Sequence, residues 1–213
     1  VKMPLFVARQ WIRHRTANVN EYSARYSILD KEFYLPSPEH LAVQSSINRQ
    51  GRGETLSPEY AQYVIDLLRQ DADQVYSHYE ELLNEDMDGN IVDPTKECLT
   101  RELARTNISL NFYTQMYWKI DLHNLMHFLT LRADPHAQYE IRAYADVMIK
   151  LLERRVPLTY EAFIQYRKDS THLSKNALET VKKLLKGEQV TQEESGMGQR
   201  EWQEFTERLD LVS

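Results

Sequence analysis

The chain has 213 residues, enough for one domain of ordinary size with a substantial core. Hydrophobic residues make up 42% and charged residues 27%, with only 6 glycines and 7 prolines, so the composition indicates a folded, helix-rich protein rather than a disordered one. A net charge of -6 argues against a nucleic-acid binder. No apolar run approaches the roughly 18 residues that a membrane span requires. We therefore expect neither nucleic acid nor a membrane as a partner, and the single cysteine, Cys98, is consistent with the reducing cytoplasm.

The first half of the chain gives four local predictions. Residues 4–13 carry apolar side chains at helical spacing and predict a short helix. Residues 25–35 mix aromatic and β-branched residues with polar ones and predict extended structure or a hairpin, whereas the polar residues 45–54 predict a loop. Ser57 is a predicted N-cap, and Pro58 begins a predicted long amphipathic helix that runs to about Leu82.

The second half alternates strand and helix signals. Residues 111–120 predict a strand, and residues 121–131 predict a helix with one apolar and one polar face. Asp134 and Pro135 predict the cap of a following helix, and the polar residues after Ser170 predict a peripheral or partly disordered tail. The predicted fold is α+β, mostly helical with a small antiparallel sheet.

A dense polar stretch follows the first predicted helix. It contains Arg13, His14, Arg15, Asn18, Asn20, Glu21, Ser23 and Arg25. Arginine forks match phosphate or carboxylate oxygens, while Asn, Ser and Glu can bond a heterocycle or a sugar hydroxyl, so the set suits a nucleotide. From composition alone, a solvated charged turn is the more common explanation for the same residues.

The spacing within this stretch resembles the signature of flavin-dependent thymidylate synthases. Arg13, His14 and Arg15 are followed by seven residues and then Ser23, and the flanking residues Asn20, Glu21, Arg25, Tyr26 and Ser27 agree with the longer form of the motif. Asn18 departs from the serine that many members have. The resemblance covers roughly residues 1–168, which we expect to form the family domain and its fold, with 169–213 as a polar C-terminal extension.

The resemblance implies a reaction, cofactors and a set of ligands. The reaction is the reductive methylation of dUMP to dTMP, in which NADPH reduces FAD and methylenetetrahydrofolate supplies the carbon. The implied dUMP ligands are Gln10, Arg13, Glu21, Ser23, Arg25, Arg105 and Arg132. The implied FAD ligands are Arg13, His14, Arg15, Glu21, Asp121, His123 and His127, with His136 as a weaker candidate.

Arg132 is the implied catalytic residue. In the family, the arginine of the Leu-Arg-x-Asp-x-His-Ala-Gln segment lies against the pyrimidine and favours ionisation at N3, which a fixed guanidinium stabilises well in a water-poor pocket. From its position alone, Arg132 could instead complement the carbonyl end of a helix. His123 and His127 are four residues apart and could imitate a metal pair, but the segment lacks the His-Glu-x-x-His motif, so we predict no metal.

The resemblance also implies a homotetramer whose sites combine residues of several subunits. Family members have a preceding segment with a His-x-x-Pro-x-Glu-His-like motif at the flavin site, and this chain is expected to begin just after it. An alternative is therefore a non-catalytic nucleotide-binding or assembly module that retains the anion site. We expect Cys98 to be structural and Ser23 to bind substrate rather than attack it.

Overall fold

The computed structural model describes residues 1–44 and 52–211. The chain divides into two compact units, Val1–Tyr160 and Glu161–Ser213. The described helices are α1 Leu5–Trp11, α2 Pro58–Leu83, α3 Arg101–Ala104, α4 Leu122–Arg132, α5 Tyr139–Arg155, α6 Pro157–Phe163, α7 Lys175–Leu184, α8 Gln192–Ser195 and α9 Gln199–Arg208. The described strands are β1 Lys2–Pro4, β2 Asn18–Glu21, β3 Ala42–Gln44, β4 Arg52–Thr55 and β5 Tyr113–Lys119. This mostly helical architecture with small antiparallel sheets confirms the predicted fold class.

Strand β5 is the centre of a three-stranded antiparallel sheet, with β1 on one side and β2 on the other. Its Thr114 and Met116 are buried while Gln115 and Tyr117 are exposed, the alternation expected of a strand with one face on the core. The prediction of this strand is confirmed. Strand β2, which pairs Asn20 with Tyr117, was not predicted because all four of its residues are exposed and carry no alternation of apolar side chains.

Helix α2 confirms the predicted long helix and packs against the chain that follows the polar stretch of residues 13–25. Its Ser57 cap accepts a hydrogen bond from the Tyr60 amide, and the helix ends at Asn84 in the left-handed region. Two buried tyrosines of its inner face hold the backbone of Leu29: the Tyr76 hydroxyl donates to the Leu29 carbonyl at 2.7 Å, and the Tyr79 hydroxyl accepts from the Leu29 amide at 3.1 Å. The chain that leaves the motif is thereby fixed to α2.

Three local predictions are met only in part or fail. Residues 25–35 were predicted as extended structure or a hairpin; they form no hairpin, and Phe33 forms an antiparallel bridge to Phe112, which lies just before β5. Of the predicted loop over 45–54, residues 45–51 lie outside the described residues, and the remainder belongs to β4, which pairs with β3. Asp134 does not cap α5, because its carboxylate accepts from the His136 amide in a turn three residues before α5 begins.

The second unit contains α7, α8 and α9 around its own small core of Ala177, Met197 and Phe205. This segment was predicted to be a peripheral or partly disordered tail. Its described part forms helices, two of which are capped by Ser174 and Thr191, so partial disorder is wrong there, whereas a peripheral position stays a prediction. Sparse apolar residues at helical spacing suffice for a small core despite the polar composition. The predicted boundary after residue 168 stays a prediction, although the compact units divide nearby. In the described ranges, no helix combines the length and the apolar character needed to cross a membrane.

Candidate active site

The turn after α1 is held against α4 by an aromatic cluster. Trp11 is fully buried, with its ring 4.9 Å from Phe128 of α4 and 5.2 Å from Trp118 of β5. The His14 amide donates to the Trp11 carbonyl at 3.0 Å, which closes the turn. Burial of so large a ring favours one packing strongly, so the sequence positions His14 beside α4 through its neighbour Trp11.

His14 and Arg132 are in direct contact although 118 residues separate them. Arg132 Nε donates to His14 Nε2 at 3.0 Å, and both side chains are half-buried. The His14 ring also meets Phe128 edge-on, with the ring centroids 4.8 Å apart. The two blocks that the sequence singled out therefore converge on one point.

The electrostatics at this point favour a neutral histidine. Burial, followed by the charge of Arg132 and that of His127, lowers the pKa of His14 below its ordinary value of 6.5. Burial also lowers the pKa of Arg132, although a guanidinium remains charged in proteins. At neutral pH the pair is a neutral imidazole that accepts from a cation.

A cleft of about 230 Å³ opens beside His14, and we name it the arginine cleft. Its lining residues are Arg13, His14, Arg15, Thr16, Ile120, Asn124 and His127. Arg13 and Arg15 are exposed, and neither forms an ion pair with an acidic side chain in the described part of the chain. Two uncompensated guanidinium groups in one cleft make it suited to an anion.

A second cleft of about 360 Å³ lies along β2 and the turn that follows it, and we name it the glutamate cleft. It is lined by Leu5, Glu21, Tyr22, Ser23, Ala24, Leu29, Arg105, Ile108, Tyr113 and Thr114. The Thr114 hydroxyl donates to the Glu21 carboxylate at 2.7 Å, which fixes the orientation of that carboxylate. The cleft combines a cation, a carboxylate and a hydroxyl with apolar walls, the usual chemistry of a small-molecule site.

Comparison with known proteins identifies the family. The family described as "Thymidylate synthase complementing protein" matches residues 1–158. A flavin-dependent thymidylate synthase from Wolbachia pipientis wMel is 57% identical over 213 residues, which is 100% of this chain and 71% of that protein. The chain belongs to the flavin-dependent thymidylate synthase family. The resemblance inferred from the motif is thus confirmed, and membership makes the protein an enzyme of the methyltransferase class.

Other relatives agree. The flavin-dependent thymidylate synthase of Gluconobacter oxydans is 59% identical over 213 residues, covering 100% of this chain and 67% of the relative. That of Rickettsia bellii is 56% identical over 210 residues, covering 98% and 71%. Among solved structures, a UMP/dUMP methylase PolB from Streptomyces cacaoi bound with 5-Br UMP superposes with a TM-score of 0.68 at 29% identity, covering 78% of this chain and 72% of that one.

The predicted dUMP ligands do not all line one cleft. The glutamate cleft gathers Glu21, Ser23 and Arg105, and the arginine cleft contains Arg13. The other three line neither cleft, and each contacts another side chain. Arg132 contacts His14, the Gln10 amide donates to the Gln138 side chain, and Arg25 is paired with Glu102 at 2.9 Å.

The predicted FAD ligands are divided as well. Arg13, His14, Arg15 and His127 line the arginine cleft, whereas Glu21 lines the glutamate cleft. The remaining candidates are solvent-facing. Asp121 caps α4 by accepting from the Asn124 amide at 2.9 Å, His123 is exposed in the first turn, and exposed His136 contacts Asp134.

The structure adds site residues that the sequence did not single out. Asn124 lines the arginine cleft and lies one helical turn before His127, a signal that spacing could have given. Thr114, Gln138 and Glu102 act as hydrogen-bond partners of predicted ligands, and only the folded chain reveals these contacts. Cys98 is exposed and lines neither cleft.

Proposed function

We propose that this protein converts dUMP to dTMP by reductive methylation, with methylenetetrahydrofolate as carbon donor and NADPH as reductant of FAD. Family membership supports the class of reaction. The observation that carries the proposal is the contact between His14 of the motif and Arg132 of the second block. This contact would orient Arg132, the residue proposed to act on the pyrimidine.

The glutamate cleft is the proposed place for much of dUMP. Arg105 supplies charge for the phosphate, while Glu21 and Ser23 can bond the sugar or the edge of the base. Arg132 would stabilise negative charge that develops at N3 of the pyrimidine, because a preorganised cation stabilises developing charge more than water does. Gln10 and Arg25 would join by exchanging their present side-chain partners for substrate.

The arginine cleft fits one part of FAD. Its two uncompensated arginines match a pyrophosphate group, and His14 and His127 line the same cleft. A volume of about 230 Å³ is below the roughly 300–1,000 Å³ of sites that enclose drug-sized ligands. The remainder of the cofactor would therefore extend beyond this cleft. Bound FAD supplies the electrons for reduction of the transferred carbon.

We also propose a homotetramer with shared sites. The division of the predicted ligands between two clefts of one chain supports it, because residues of neighbouring subunits could complete each site. Asp121 and His123 fit a role toward FAD less well within one chain, since Asp121 already caps α4. We further propose the cytoplasm as the compartment, in keeping with the free Cys98.

The choice of dUMP over UMP is part of the proposal. The PolB methylase was solved with 5-Br UMP and also with 5-Br dUMP, the latter superposing with a TM-score of 0.65 at 27% identity. Its double specificity makes UMP the competing substrate for this chain. A site that hydrogen-bonds a 2′-hydroxyl would reject the deoxynucleotide, so relative rates on the two nucleotides decide between them.

The test is an assay of purified protein supplied with FAD, NADPH and methylenetetrahydrofolate, with either dUMP or UMP. We expect flavin absorbance from the protein and formation of dTMP. Arg132→Ala should lower kcat by about 10²–10³, the loss seen when one preorganised donor is removed. Arg69→Ala, on the exposed side of α2, is the matched control and should leave the rate unchanged. A protein that takes up no FAD and binds dUMP without methylating it would support the non-catalytic module instead.

A further inference from the structure

We propose that His14 is a positioning residue, whose unprotonated Nε2 holds the guanidinium of Arg132 in its working orientation. The inference rests on the proposed function and deepens it. It assigns His14 a task toward the pyrimidine side of the site, beyond any contact with flavin.

The hydrogen-bond geometry fixes the protonation state of the ring. Arg132 Nε can only donate, so His14 Nε2, at 3.0 Å, must accept. The proton of the neutral imidazole then lies on Nδ1. A protonated Nε2 would face the guanidinium donor to donor, and the contact would be lost.

The atom that Arg132 uses also matters. Its contact with His14 is made through Nε, which leaves both terminal nitrogens for a ligand. Arg132 forms no ion pair with any acidic side chain among the residues the structure describes. The arginine is therefore oriented at its stem and open at its tip. Such orientation reduces the rotamer freedom lost when substrate binds.

His14 is itself held in place by contacts of its backbone and of its ring. Its amide bonds the carbonyl of fully buried Trp11, and its ring lies edge-on to buried Phe128. These contacts link the turn after α1 to the body of α4. Arg132 ends the same helix, so the two partners share one rigid support.

The surroundings of the ring keep it neutral. Arg132 and His127 face it from α4, and Arg13 and Arg15 flank it on its own turn, while no acidic side chain lines the arginine cleft in the described residues. Burial, followed by the electrostatic effects of Arg132 and His127, lowers the pKa of His14 below 6.5. The accepting form is consequently the main one throughout the neutral range.

Two substitutions separate positioning from flavin contact. His14→Phe keeps a ring against Phe128 but removes the acceptor, whereas His14→Gln returns an amide oxygen near the position of Nε2. With FAD saturating, we expect His14→Phe to lower kcat by about tenfold to a hundredfold, the range for loss of one hydrogen bond to a charged group. His14→Gln should recover most of that loss, and KM for dUMP should change less than kcat. His78→Phe, at an exposed position of α2, is the matched control.

A double-mutant cycle supplies the decisive comparison. If His14 acts through Arg132, adding His14→Phe to Arg132→Ala should cost less than about twofold more. A full additional loss, or a loss explained by reduced flavin occupancy in His14→Phe, would overturn the proposal.

An NMR measurement makes the test independent of turnover. Nitrogen-15 spectra of the imidazole should show a protonated Nδ1 and an unprotonated Nε2 at pH 7, and Arg132→Ala should move the titration of His14 toward its ordinary range. A protonated Nε2 at pH 7 would refute positioning even in an active enzyme. The expected spectrum in a protein that forms no dTMP would refute the proposed reaction while supporting the contact.

Discussion

The ion pair between Arg52 and the buried Glu140 gives the sharpest stability prediction. The Glu140 side chain is 6% exposed and accepts from Arg52 at 2.8 Å and from the Tyr34 hydroxyl at 3.0 Å. Arg52→Met would leave that carboxylate buried without its cation, held by neutral hydrogen bonds from the Tyr34 hydroxyl, its own backbone amide and the Gln138 side chain. Breaking a fully buried pair in this way costs about 3–5 kcal/mol. Because Arg52 is 38% exposed, solvent weakens its attraction to Glu140, and the cost here should be somewhat lower. We expect a loss of about 2–4 kcal/mol in the free energy of unfolding.

Substitution of the other partner, Glu140, should lower the free energy of unfolding by less. Glu140→Gln retains an oxygen for Tyr34, and the freed Arg52 can turn toward water, so we expect a loss of about 1–2 kcal/mol. The double variant should be more stable than Arg52→Met alone, because it contains no unpaired buried charge. Urea denaturation monitored by circular dichroism measures all three, provided that the slope with denaturant is unchanged.

A surface pair provides the control. Asp73→Asn breaks the ion pair between Asp73, whose side chain is 46% exposed, and Lys31, whose side chain is 51% exposed. It should lower the free energy of unfolding by under about 1 kcal/mol. Two results would refute the view that burial of Glu140 makes this pair costly to break. One is a double variant whose loss of unfolding free energy equals the sum of the losses in Arg52→Met and Glu140→Gln. The other is an Arg52→Met loss as small as that of Asp73→Asn.

The same carboxylate predicts a pH dependence. Burial alone would raise the pKa of Glu140, but hydrogen bonds from its own helix backbone and from Arg52 outweigh that effect and hold the pKa below its ordinary value of 4.5. The unfolded chain therefore binds the proton more readily. The stability that Glu140 contributes is present above pH 4.5 and is lost as the pH falls through the folded-state pKa. Glu140→Gln should remove this part of the acid sensitivity.

Two further predictions concern the site. Trp11→Ala should cost about 3–5 kcal/mol in unfolding free energy, since it opens a cavity under the His14 turn. Trp11→Phe should cost less than half of that, because a ring remains in the core and the substitution removes an indole N–H that is buried without a partner in the described residues. Equal losses in the two variants would contradict this prediction. Glu102→Gln should change stability by under about 1 kcal/mol and tighten dUMP binding up to about fivefold by freeing Arg25, as calorimetry can measure. Weaker binding would mean that Glu102 holds Arg25 in place for substrate.

The fold was predictable wherever the local pattern and the tertiary environment agree. Helix α2 has a serine cap, a proline in its first turn and a regular apolar stripe, and β5 alternates between core and solvent. Strand β2 could not be predicted because it lies at the sheet edge with every residue exposed. Its exposed residues lack the alternation of apolar and polar side chains that marks a strand with one face on the core.

For the candidate site, the motif predicted a set of candidate residues but not the partners that they contact. His14 and Arg132 were predicted for different ligands, FAD and dUMP, yet they contact each other. That contact depends on Trp11 packing against Phe128, a relation between distant positions that no local spacing encodes. Likewise, only the pairing of β2 with β5 brings Thr114 to Glu21.

The contacts within the site also bear on how it would take up ligands. Gln10 and Arg25 are satisfied by Gln138 and Glu102, pairs on the exposed surface that are worth little against solvent. Exchanging such partners for a phosphate or a base costs little, because solvent already weakens the contacts that are given up. The half-buried contact of Arg132 with His14 differs, since it uses Nε and need not be broken by a ligand at the terminal nitrogens. In the proposed reaction, the proposed dUMP ligands Gln10 and Arg25 are therefore loosely paired, whereas the proposed catalytic arginine, Arg132, is firmly oriented, as transition-state stabilisation by a fixed charge requires.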